Sequence, residues 1–467
     1  MSTASKTLST RLPDIVGASQ VIQEPHQLSA YEAAGKIPGA AVRPGTKEEV
    51  AEIIKFAAAD GLTVVPCGAG TKLDMGLPPQ RYDLALDLTR LNRIIAYDPA
   101  DLTLAVETGL PLRNVVSALA EHRQFLPLLV PYFGQTTMGG TIAAGVDSPL
   151  RQFYGTARDY VLGMEFVTGD GTLAKSGGRV VKNVSGYDLH KLMIGSLGTL
   201  GVIVQINFKT FPAPVATGGF VANFEKMEQA VEMRHHVAQS PLTPITTEIF
   251  SPRVAELFSS EAASRLASGA MPPDVIAPNH WATTIGYAGN EKVLARYEGD
   301  LRKIAGQLGA TNLVVLDDIT RPPAFSRKRE FVPIALSQET SPATTILKIS
   351  VLPTLLKDVL AKAQESAEGN RLNWGLMARG VGVIYFALLP EKRDEDARRR
   401  VAQATEQIFG ACSGWGANAL IPWCPSEWKG SLKIWSPDRA DFSLMQNVKK
   451  AFDPQGVLSP GRFAGGI

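Results

Sequence analysis

Val64-Val65-Pro66-Cys67-Gly68-Ala69-Gly70-Thr71-Lys72 is the stretch that decides the fold of this chain. A short apolar run followed by two closely spaced glycines predicts a β-strand that ends in a tight loop. Gly68 and Gly70 can adopt positive φ at little cost, so successive backbone N–H groups can point into one concavity. Each hydrogen bond to a charged oxygen contributes about 1.5–3 kcal/mol. Three or four of them would anchor the diphosphate of a dinucleotide.

This loop differs from the G-x-G-x-x-G fingerprint of Rossmann folds. The third glycine is missing, and residues 73–79 do not continue as a helix. Taken alone, a glycine cluster after a strand is more typical of an ordinary turn than of a phosphate site. The segments that follow it along the chain must decide between the two interpretations.

Length and composition describe a globular protein of two or three domains. The 467 residues are 45% hydrophobic and 20% charged, and the net charge is +2 without a long basic run, which argues against nucleic-acid binding. The three cysteines form no C-x-x-C pair, so they predict no disulfide framework, zinc site or iron–sulfur ligand set. The polar N-terminus and the lack of a long apolar run predict no signal peptide and no transmembrane segment. We expect a cytoplasmic location, and peripheral attachment to the inner face of the membrane through a partner stays open.

The first half of the chain predicts a helix packed on strands. Thr46 and Glu49 form a capping box for a helix over residues 46–61, with Gly61 at its C-terminal end. A second helix begins at Pro111. The predicted strands are Leu62–Val65, Leu84–Asp87, Leu102–Glu107, the hairpin Leu162–Thr168 and Thr172–Lys175, and Val202–Lys209.

Prolines and glycines over residues 212–219 mark a domain boundary, after which strands and helices alternate. This alternation predicts an antiparallel sheet with helices on one face. The strand candidates are Phe220–Phe224, Trp281–Tyr287, Ile346–Val351 and Val381–Leu388, and the helix candidates are Glu225–Ala238, Glu291–Leu308, Pro353–Glu368, Arg393–Phe409 and Asp441–Phe452. We predict an N-terminal extension over 1–37, domains over 38–214 and 215–430, and a C-terminal segment over 431–467.

An ordered set of motifs resembles the FAD-linked oxidases of the vanillyl-alcohol oxidase type, whose flavin domain is shared with p-cresol methylhydroxylase. The motifs are Pro66–Lys72, Thr136–Gly145, Tyr154–Gly163 with Asp170–Thr172, Lys182–Ile203 and Asp453–Arg462. Within the family they are most similar to an FAD-binding component of glycolate oxidases. The resemblance implies an α+β fold: a two-subdomain FAD-binding domain of the p-cresol methylhydroxylase (PCMH) type, an α+β cap, and a C-terminal tail that returns to the FAD domain.

The resemblance also implies where FAD binds. It assigns the diphosphate to the first loop, the flavin ring to the region of Gly145 to Ser148, and the adenine or ribose to the neighbourhood of Ile203. The implied cofactor-binding residues are Pro66, Cys67, Gly68, Ala69, Gly70, Thr71, Lys72, Thr137, Met138, Gly139, Gly140, Gly145, Ser148, Val202 and Ile203. Because no histidine lies near the loop, we expect a non-covalent FAD.

The family implies hydride transfer to flavin from a carbon that bears a hydroxyl group, as in a 2-hydroxy acid such as glycolate or lactate. Arginine suits the substrate carboxylate, because its planar guanidinium donates two parallel hydrogen bonds. The candidates are Arg329, in a segment similar to the family's W-x-x-R, and Arg151 and Arg379. A solvated basic face is the alternative interpretation of each.

Histidine-rich metal motifs of the D-lactate and D-2-hydroxyglutarate dehydrogenase branch are missing from this sequence, so we predict no metal and identify no general base. Two hypotheses remain for an FAD-binding chain. It is either a 2-hydroxy-acid dehydrogenase or a subunit that binds FAD without turnover, for assembly or electron relay. The resemblance implies a sister flavoprotein subunit and an iron–sulfur subunit as partners. A non-flavin α+β binding protein is the third alternative.

Overall fold

The computed structural model describes residues 11–179, 186–267, 275–317, 327–435 and 441–467. The chain has an α+β architecture built on two small sheets, a large sheet and a short strand pair. Residues 182–185, the start of the Lys182–Ile203 motif, lie outside the described residues, as does Ser326.

The first sheet contains the strand that enters the glycine loop. Its order is β1-β2-β4-β3, and β4 runs parallel to both β2 and β3. Its elements are β1 (Val21–Ile22), α1 (Pro25–Leu28), β2 (Ala40–Val42), α2 (Lys47–Ala59), β3 (Val64–Cys67) and β4 (Leu84–Asp87). Parallel strands need a covering helix, and α2 supplies apolar side chains to the core of this sheet.

The start of α2 confirms the predicted cap with one difference. Thr46 Oγ1 accepts a hydrogen bond from Glu49 N at 3.1 Å, as expected of an N-cap. The Glu49 carboxylate, however, accepts from Gly45 N at 2.6 Å. Gly61, at φ +62°, follows the end of the helix as predicted.

The second sheet is antiparallel, with strand order β5-β6-β10-β8-β9. The predicted hairpin is confirmed as β8 and β9, paired from Val167↔Leu173 to Gly163↔Gly177. The elements in this part of the chain are β5 (Ile94–Asp98), β6 (Thr103–Glu107), α3 (Leu112–Ala120), β7 (Gln124–Phe125), α4 (Met138–Ala144), α5 (Arg151–Tyr154), α6 (Ala157–Tyr160), β8 (Val161–Val167), β9 (Leu173–Gly177), α7 (His190–Met193), β10 (Val202–Lys209) and β11 (Phe211–Pro212).

The second half of the chain forms an eight-stranded antiparallel sheet, the cap sheet, in the order β15-β12-β14-β13-β17-β18-β16-β19. Four long helices cover one face, as predicted, while three short helices pack on the other face. The elements are β12 (Ala216–Phe224), α8 (Met227–Gln239), β13 (Thr246–Phe250), α9 (Arg253–Ser259), α10 (Glu261–Leu266), β14 (Trp281–Gly289), α11 (Glu291–Gln307), β15 (Asn312–Leu316), α12 (Phe331–Leu336), β16 (Thr345–Ser350), α13 (Leu356–Gly369), β17 (Asn373–Arg379), β18 (Val383–Leu389), α14 (Glu395–Gly414) and β19 (Asn418–Trp423).

The second face of the cap sheet also contacts the first half of the chain. Met75 belongs to the same apolar cluster as the buried side chains of this face, and Ala144 and Leu197 pack against the cluster. Because strand side chains alternate between faces, every second residue of β13, β16, β17 and β18 points toward this interface.

The chain returns to the first sheet after α15 (Phe442–Phe452). Val64 N donates to Val457 O at 2.8 Å, and Ser459 N donates to Val64 O at 2.8 Å. The tail therefore pairs with the strand that leads into the glycine loop, which confirms its predicted return. Within the described residues, no helix is long and apolar enough to cross a membrane.

We expect the tail to depend on Asp453, which is almost fully buried. Its carboxylate accepts from Val457 N at 2.9 Å, Leu458 N at 2.8 Å and Lys449 Nζ at 2.6 Å. Asp453→Ala should cost about 3 kcal/mol of stability, because a buried ammonium loses its counterion. The exposed Asp188, paired with Lys191, supplies the control D188A, with an expected cost below about 1 kcal/mol. Equal thermal unfolding midpoints for the two variants would contradict this account.

Candidate functional site

The loop after β3 is shaped by one positive φ and one close approach. Gly70 has φ +73°, as predicted. Gly68 does not have positive φ, so that part of the prediction is wrong. Glycine is required there for another reason: a Cβ atom on Gly68 would lie 2.2 Å from Thr137 Oγ1. The loop therefore packs directly on the residue that caps α4.

The backbone N–H groups of this loop lack acceptors. Among the described residues, no protein oxygen accepts a hydrogen bond from the amides of residues 68–72. Backbone N–H groups are rarely left without a partner, so a run of them lining a cleft indicates a site for an anion.

The opposite wall of the cleft is the start of α4. Thr137 caps this helix through its side chain, which accepts from Gly140 N at 3.3 Å. A Cβ on Gly139 would lie 2.6 Å from Thr108 Cβ, so the helix also approaches β6 and the residues after it closely. Met138 points into the core beneath the cleft.

The third wall is the turn before β10. Gly198 has φ +71°, and a Cβ on it would lie 2.7 Å from Pro66 Cγ. Ile203 lines the cleft, whereas Val202 is buried in the core of the first sheet. The three walls form one cleft that is open to solvent. Of the predicted cofactor residues, those that line this cleft are Pro66, Cys67, Gly68, Ala69, Gly70, Thr71, Lys72, Thr137, Gly139, Gly140 and Ile203.

Arg462, the last residue of the tail motif, also lines the cleft, although it was not among the predicted cofactor-binding residues. It is buried, and its Nη2 donates to Leu73 O and Met75 O. Its Nε has no hydrogen-bond partner, and burial lowers its pKa to about 10. The Thr108 hydroxyl on the cleft wall is likewise buried without a partner. These atoms fit an anionic group with oxygen acceptors.

A second cavity lies next to the cap sheet, and it contains the positions that were predicted to contact the flavin ring. Gly145 and Ser148 line it, together with Arg151, Arg158 and Lys348. The cleft and this cavity lie on opposite sides of α4, because Gly139 and Gly140 face the first and Thr141 and Ile142 the second.

Arg151 and Arg379 both contact the buried Asp147. Arg151 Nη1 lies 2.7 Å from Asp147 Oδ1, and Arg379 Nε lies 2.5 Å from Asp147 Oδ2. Arg379 Nη1 is also 3.2 Å from Glu248 Oε1, and its guanidinium lies over the ring of Tyr385. Arg379 thus links β13 and β17 of the cap sheet to the loop after α4.

Arg329 also has a carboxylate partner. Its Nε donates to Glu330 at 2.9 Å, and its guanidinium lies 4.1 Å from the centre of the Phe133 ring. The Glu330 carboxylate accepts from Tyr132 N and Phe133 N, which ties this part of the cap to the first half of the chain. Since all three selected arginines are ion-paired, their role in binding a substrate carboxylate stays a prediction.

Lys348, on β16, and Arg158 are the two cations of the second cavity that sequence reasoning missed, and Lys348 is the one that the cap sheet supplies. Among the described residues, no carboxylate pairs with it. It sits across from Tyr385 of β18 in the sheet register. The sequence did carry a signal for Lys348. It stands between Leu347 and Ile349, which belong to the core, so its side chain points to the opposite face of the sheet.

Histidines provide no metal site in the part of the chain that the structure describes, where no group of three potential ligands occurs. His190 Nδ1 lies 3.0 Å from Ser176 Oγ, and burial lowers the pKa of this imidazole. It serves as a core residue between α7 and β9.

The chain matches two known protein families. The family described as FAD binding domain matches residues 38–177, and the family described as the C-terminal domain of FAD linked oxidases matches residues 214–417 and 435–463. The chain belongs to the FAD-linked oxidases. It is therefore an FAD-binding oxidoreductase, and the acceptor-free amides of the first loop fit the diphosphate of FAD.

Relatives of this chain include proteins that are named as dehydrogenases or oxidases of a hydroxy acid. It is 28% identical to D-2-hydroxyglutarate dehydrogenase of Xanthomonas citri and 25% identical to glycolate oxidase subunit GlcD of Bacillus subtilis, over 91% of this chain and 89% of each relative. It is 38% identical to glycolate oxidase subunit GlcE of Escherichia coli, over 36% of this chain and 47% of that protein.

The fold is shared with p-cresol methylhydroxylase. A structure of that enzyme with substrate bound aligns with a TM-score of 0.79 at 17% identity, over 99% of this chain and 97% of the other. This confirms the predicted PCMH-type fold.

We expect Arg379 to stabilise the contact between the two halves of the chain. Arg379→Met removes the ion-pair partner of the buried Glu248 and should cost about 3–5 kcal/mol, seen as a drop of several degrees in the unfolding midpoint. The control is Arg393→Met, because the Arg393–Glu427 pair is exposed and should contribute less than about 1 kcal/mol. An unchanged midpoint together with weaker binding of a hydroxy acid would instead support the predicted carboxylate-binding role.

Proposed function

We propose that this chain oxidises a small 2-hydroxy acid by hydride transfer to a non-covalently bound FAD, as a subunit of a glycolate-oxidase-type complex. The names of its relatives support the substrate class, since glycolate and 2-hydroxyglutarate are both 2-hydroxy acids. The two glycolate oxidase relatives are both subunits, which supports a multi-subunit assembly.

In this proposal the amides of residues 68–72 bind the FAD diphosphate, and Arg462 adds a cation beside it. The adenine end would lie near Ile203, and the flavin ring would extend past α4 toward Gly145 and Ser148. A non-covalent cofactor is supported by the loop, which contains no histidine. Burial raises the pKa of the Cys67 thiol well above its usual range, so this nearby thiol would not act as a nucleophile.

The second cavity is the observation that carries the substrate assignment. It brings Gly145 and Ser148, where the ring is expected, together with Arg151 and Lys348. The substrate carboxylate would pair with Lys348, which has no carboxylate partner among the described residues. With its carboxylate at Lys348, the acid would hold its Cα–H against the flavin ring. FAD would supply the hydride acceptor.

The electrons must leave through a partner protein or another acceptor. The chain's three cysteines are all buried and free, and they offer no iron–sulfur ligand set. We therefore propose that a sister flavoprotein subunit or an iron–sulfur subunit receives the electrons.

A second candidate function is an FAD-binding subunit without turnover. It is favoured by the ion pairs that engage Arg151, Arg329 and Arg379, because each guanidinium already has a protein carboxylate. Anaerobic mixing of the FAD-loaded chain with glycolate, D-lactate and D-2-hydroxyglutarate distinguishes the two. Loss of the visible absorbance of oxidised flavin with one of these acids is the result expected here, and a flavin that stays oxidised with all of them supports the second candidate.

The first loop can be tested by filling it. We expect Gly70→Trp to abolish FAD binding, because the indole would occupy the concavity in front of the amides. Gly61→Trp is the matched control, since Gly61 also has positive φ but faces open space. Both variants should show the same modest loss of stability, whereas Gly61→Trp should bind FAD in equilibrium dialysis as the native chain does. One FAD per chain in the Gly70→Trp variant would contradict the assignment.

The substrate cavity can be tested at Lys348. We expect Lys348→Met to raise the acid concentration for half-maximal flavin reduction about tenfold or more, because a charge-assisted hydrogen bond of about 1.5–3 kcal/mol is lost. The exposed Lys357 on α13 gives the control Lys357→Met, which should behave as the native chain. An unchanged half-maximal concentration in Lys348→Met would contradict the assignment of the carboxylate to this cavity.

A further inference from the structure

The last residue of the glycine loop, Lys72, is a buried amine without an acidic partner. Its Nζ donates to Thr136 Oγ1 at 2.6 Å and to Thr71 Oγ1 at 3.1 Å. Among the described residues, no carboxylate lies within ion-pair distance of it. The side chain therefore spans the cleft from the loop to the start of α4, held by hydroxyl groups alone.

The hydrogen-bond directions around Lys72 are fixed. Thr141 Oγ1 donates to Thr137 O at 2.9 Å, so it accepts from Thr136 Oγ1, 3.0 Å away. Thr136 in turn accepts from Lys72. A neutral lysine has two N–H groups, which Thr71 and Thr136 already accept. A protonated lysine has a third N–H, and no described group accepts it.

Two further buried basic side chains contact the stretch of chain that follows Lys72. Lys429 Nζ donates to the carbonyls of Asp74 and Gly76, and Arg462 donates to those of Leu73 and Met75. Neither has an ion-pair partner among the described residues. By contrast, the buried Lys449 is paired with Asp453. Burying unpaired cations is costly, so this concentration of positive charge indicates a site for an anion that is not part of the chain.

We propose that Lys72 takes up a proton when FAD binds and then acts as the ammonium counterion of the diphosphate. The inference rests on the proposed placement of FAD in the cleft. The third N–H of the ammonium would donate to a phosphate oxygen next to the amides of residues 68–72. The proton comes from the solvent and stays on Nζ while the cofactor is bound.

Before FAD binds, the surroundings of Lys72 favour the neutral amine over the ammonium. Burial lowers the pKa of Lys72 to about 7, and the Glu330 carboxylate opposes this only in part. Glu330 is engaged by Tyr132 N, Phe133 N and Arg329. Burial raises the pKa of the Tyr132 phenol, whose ring lies 5.8 Å from Nζ, so it remains neutral.

Of the remaining charged groups nearby, Asp74 is exposed to solvent, and Arg462 on the tail is a further cation. Bound diphosphate would therefore be the dominant negative charge at Nζ, and it should raise the pKa of Lys72. The protonated form then binds FAD more tightly than the neutral form. Affinity should be constant below pH 7, where Lys72 is already charged, and should fall by up to about tenfold per pH unit above it.

The test is calorimetric titration of the apoprotein with FAD, in buffers of different ionisation enthalpy, at pH 6 and pH 8. We expect the native chain to take up about one proton per FAD at pH 8 and almost none at pH 6. Lys72→Arg, which is always charged, should bind FAD without proton uptake and with little pH dependence. Lys72→Met should bind more weakly and also without uptake, and Lys357→Met should match the native chain.

Proton uptake in Lys72→Met or Lys72→Arg equal to that of the native chain would overturn the inference, as would its absence in the native chain at pH 8. Because Lys72→Arg keeps the charge, it tests the proposal even if Lys72→Met does not fold. A native chain that binds one FAD and is reduced by a hydroxy acid, but takes up no proton, rejects this inference alone. Failure of the cofactor placement would appear separately, as FAD bound by Gly70→Trp.

Discussion

The backbone amides of residues 68–72 are the constraint on which this structure depends. They line a cleft and have no acceptor among the described residues, which fits the binding of an anion from outside the chain. The loop is held in place by two glycine contacts, Gly68 against Thr137 and Gly198 against Pro66. The tail adds a further restraint, because it pairs with Val64 and brings Arg462 to the same cleft.

Buried carboxylates connect the cap to the first half of the chain. Asp147 joins the loop after α4 to Arg379 of the cap sheet, and Glu330 joins the start of α12 to the backbone at Tyr132. Each carboxylate lies beside a position proposed for the cofactor or the substrate. The relative position of the two halves, and hence the shape of the second cavity, is therefore set by charges that are costly to separate.

The sequence was informative where a local rule determines the structure. Glycine positions, the cap at Thr46 and the hairpin around residues 169–171 follow from backbone geometry and short-range hydrogen bonds, and the structure confirms them, apart from the φ of Gly68. Strands β13 and β17 were missed. Glu248 lies in the middle of β13 and Arg379 ends β17, and the contact between these two side chains is long-range. The partners of Arg379 lie 131 and 232 residues away, beyond any local pattern. The contacts of Arg462 with Leu73 and Met75 are equally distant in sequence, whereas Lys348 had a local signal that was overlooked.

The most direct measurement is the structure of the chain crystallised with FAD. The account predicts diphosphate oxygens within about 2.7–3.2 Å of at least three amide nitrogens of residues 68–72. A diphosphate bound elsewhere, with those amides still facing solvent or a protein group, would contradict it.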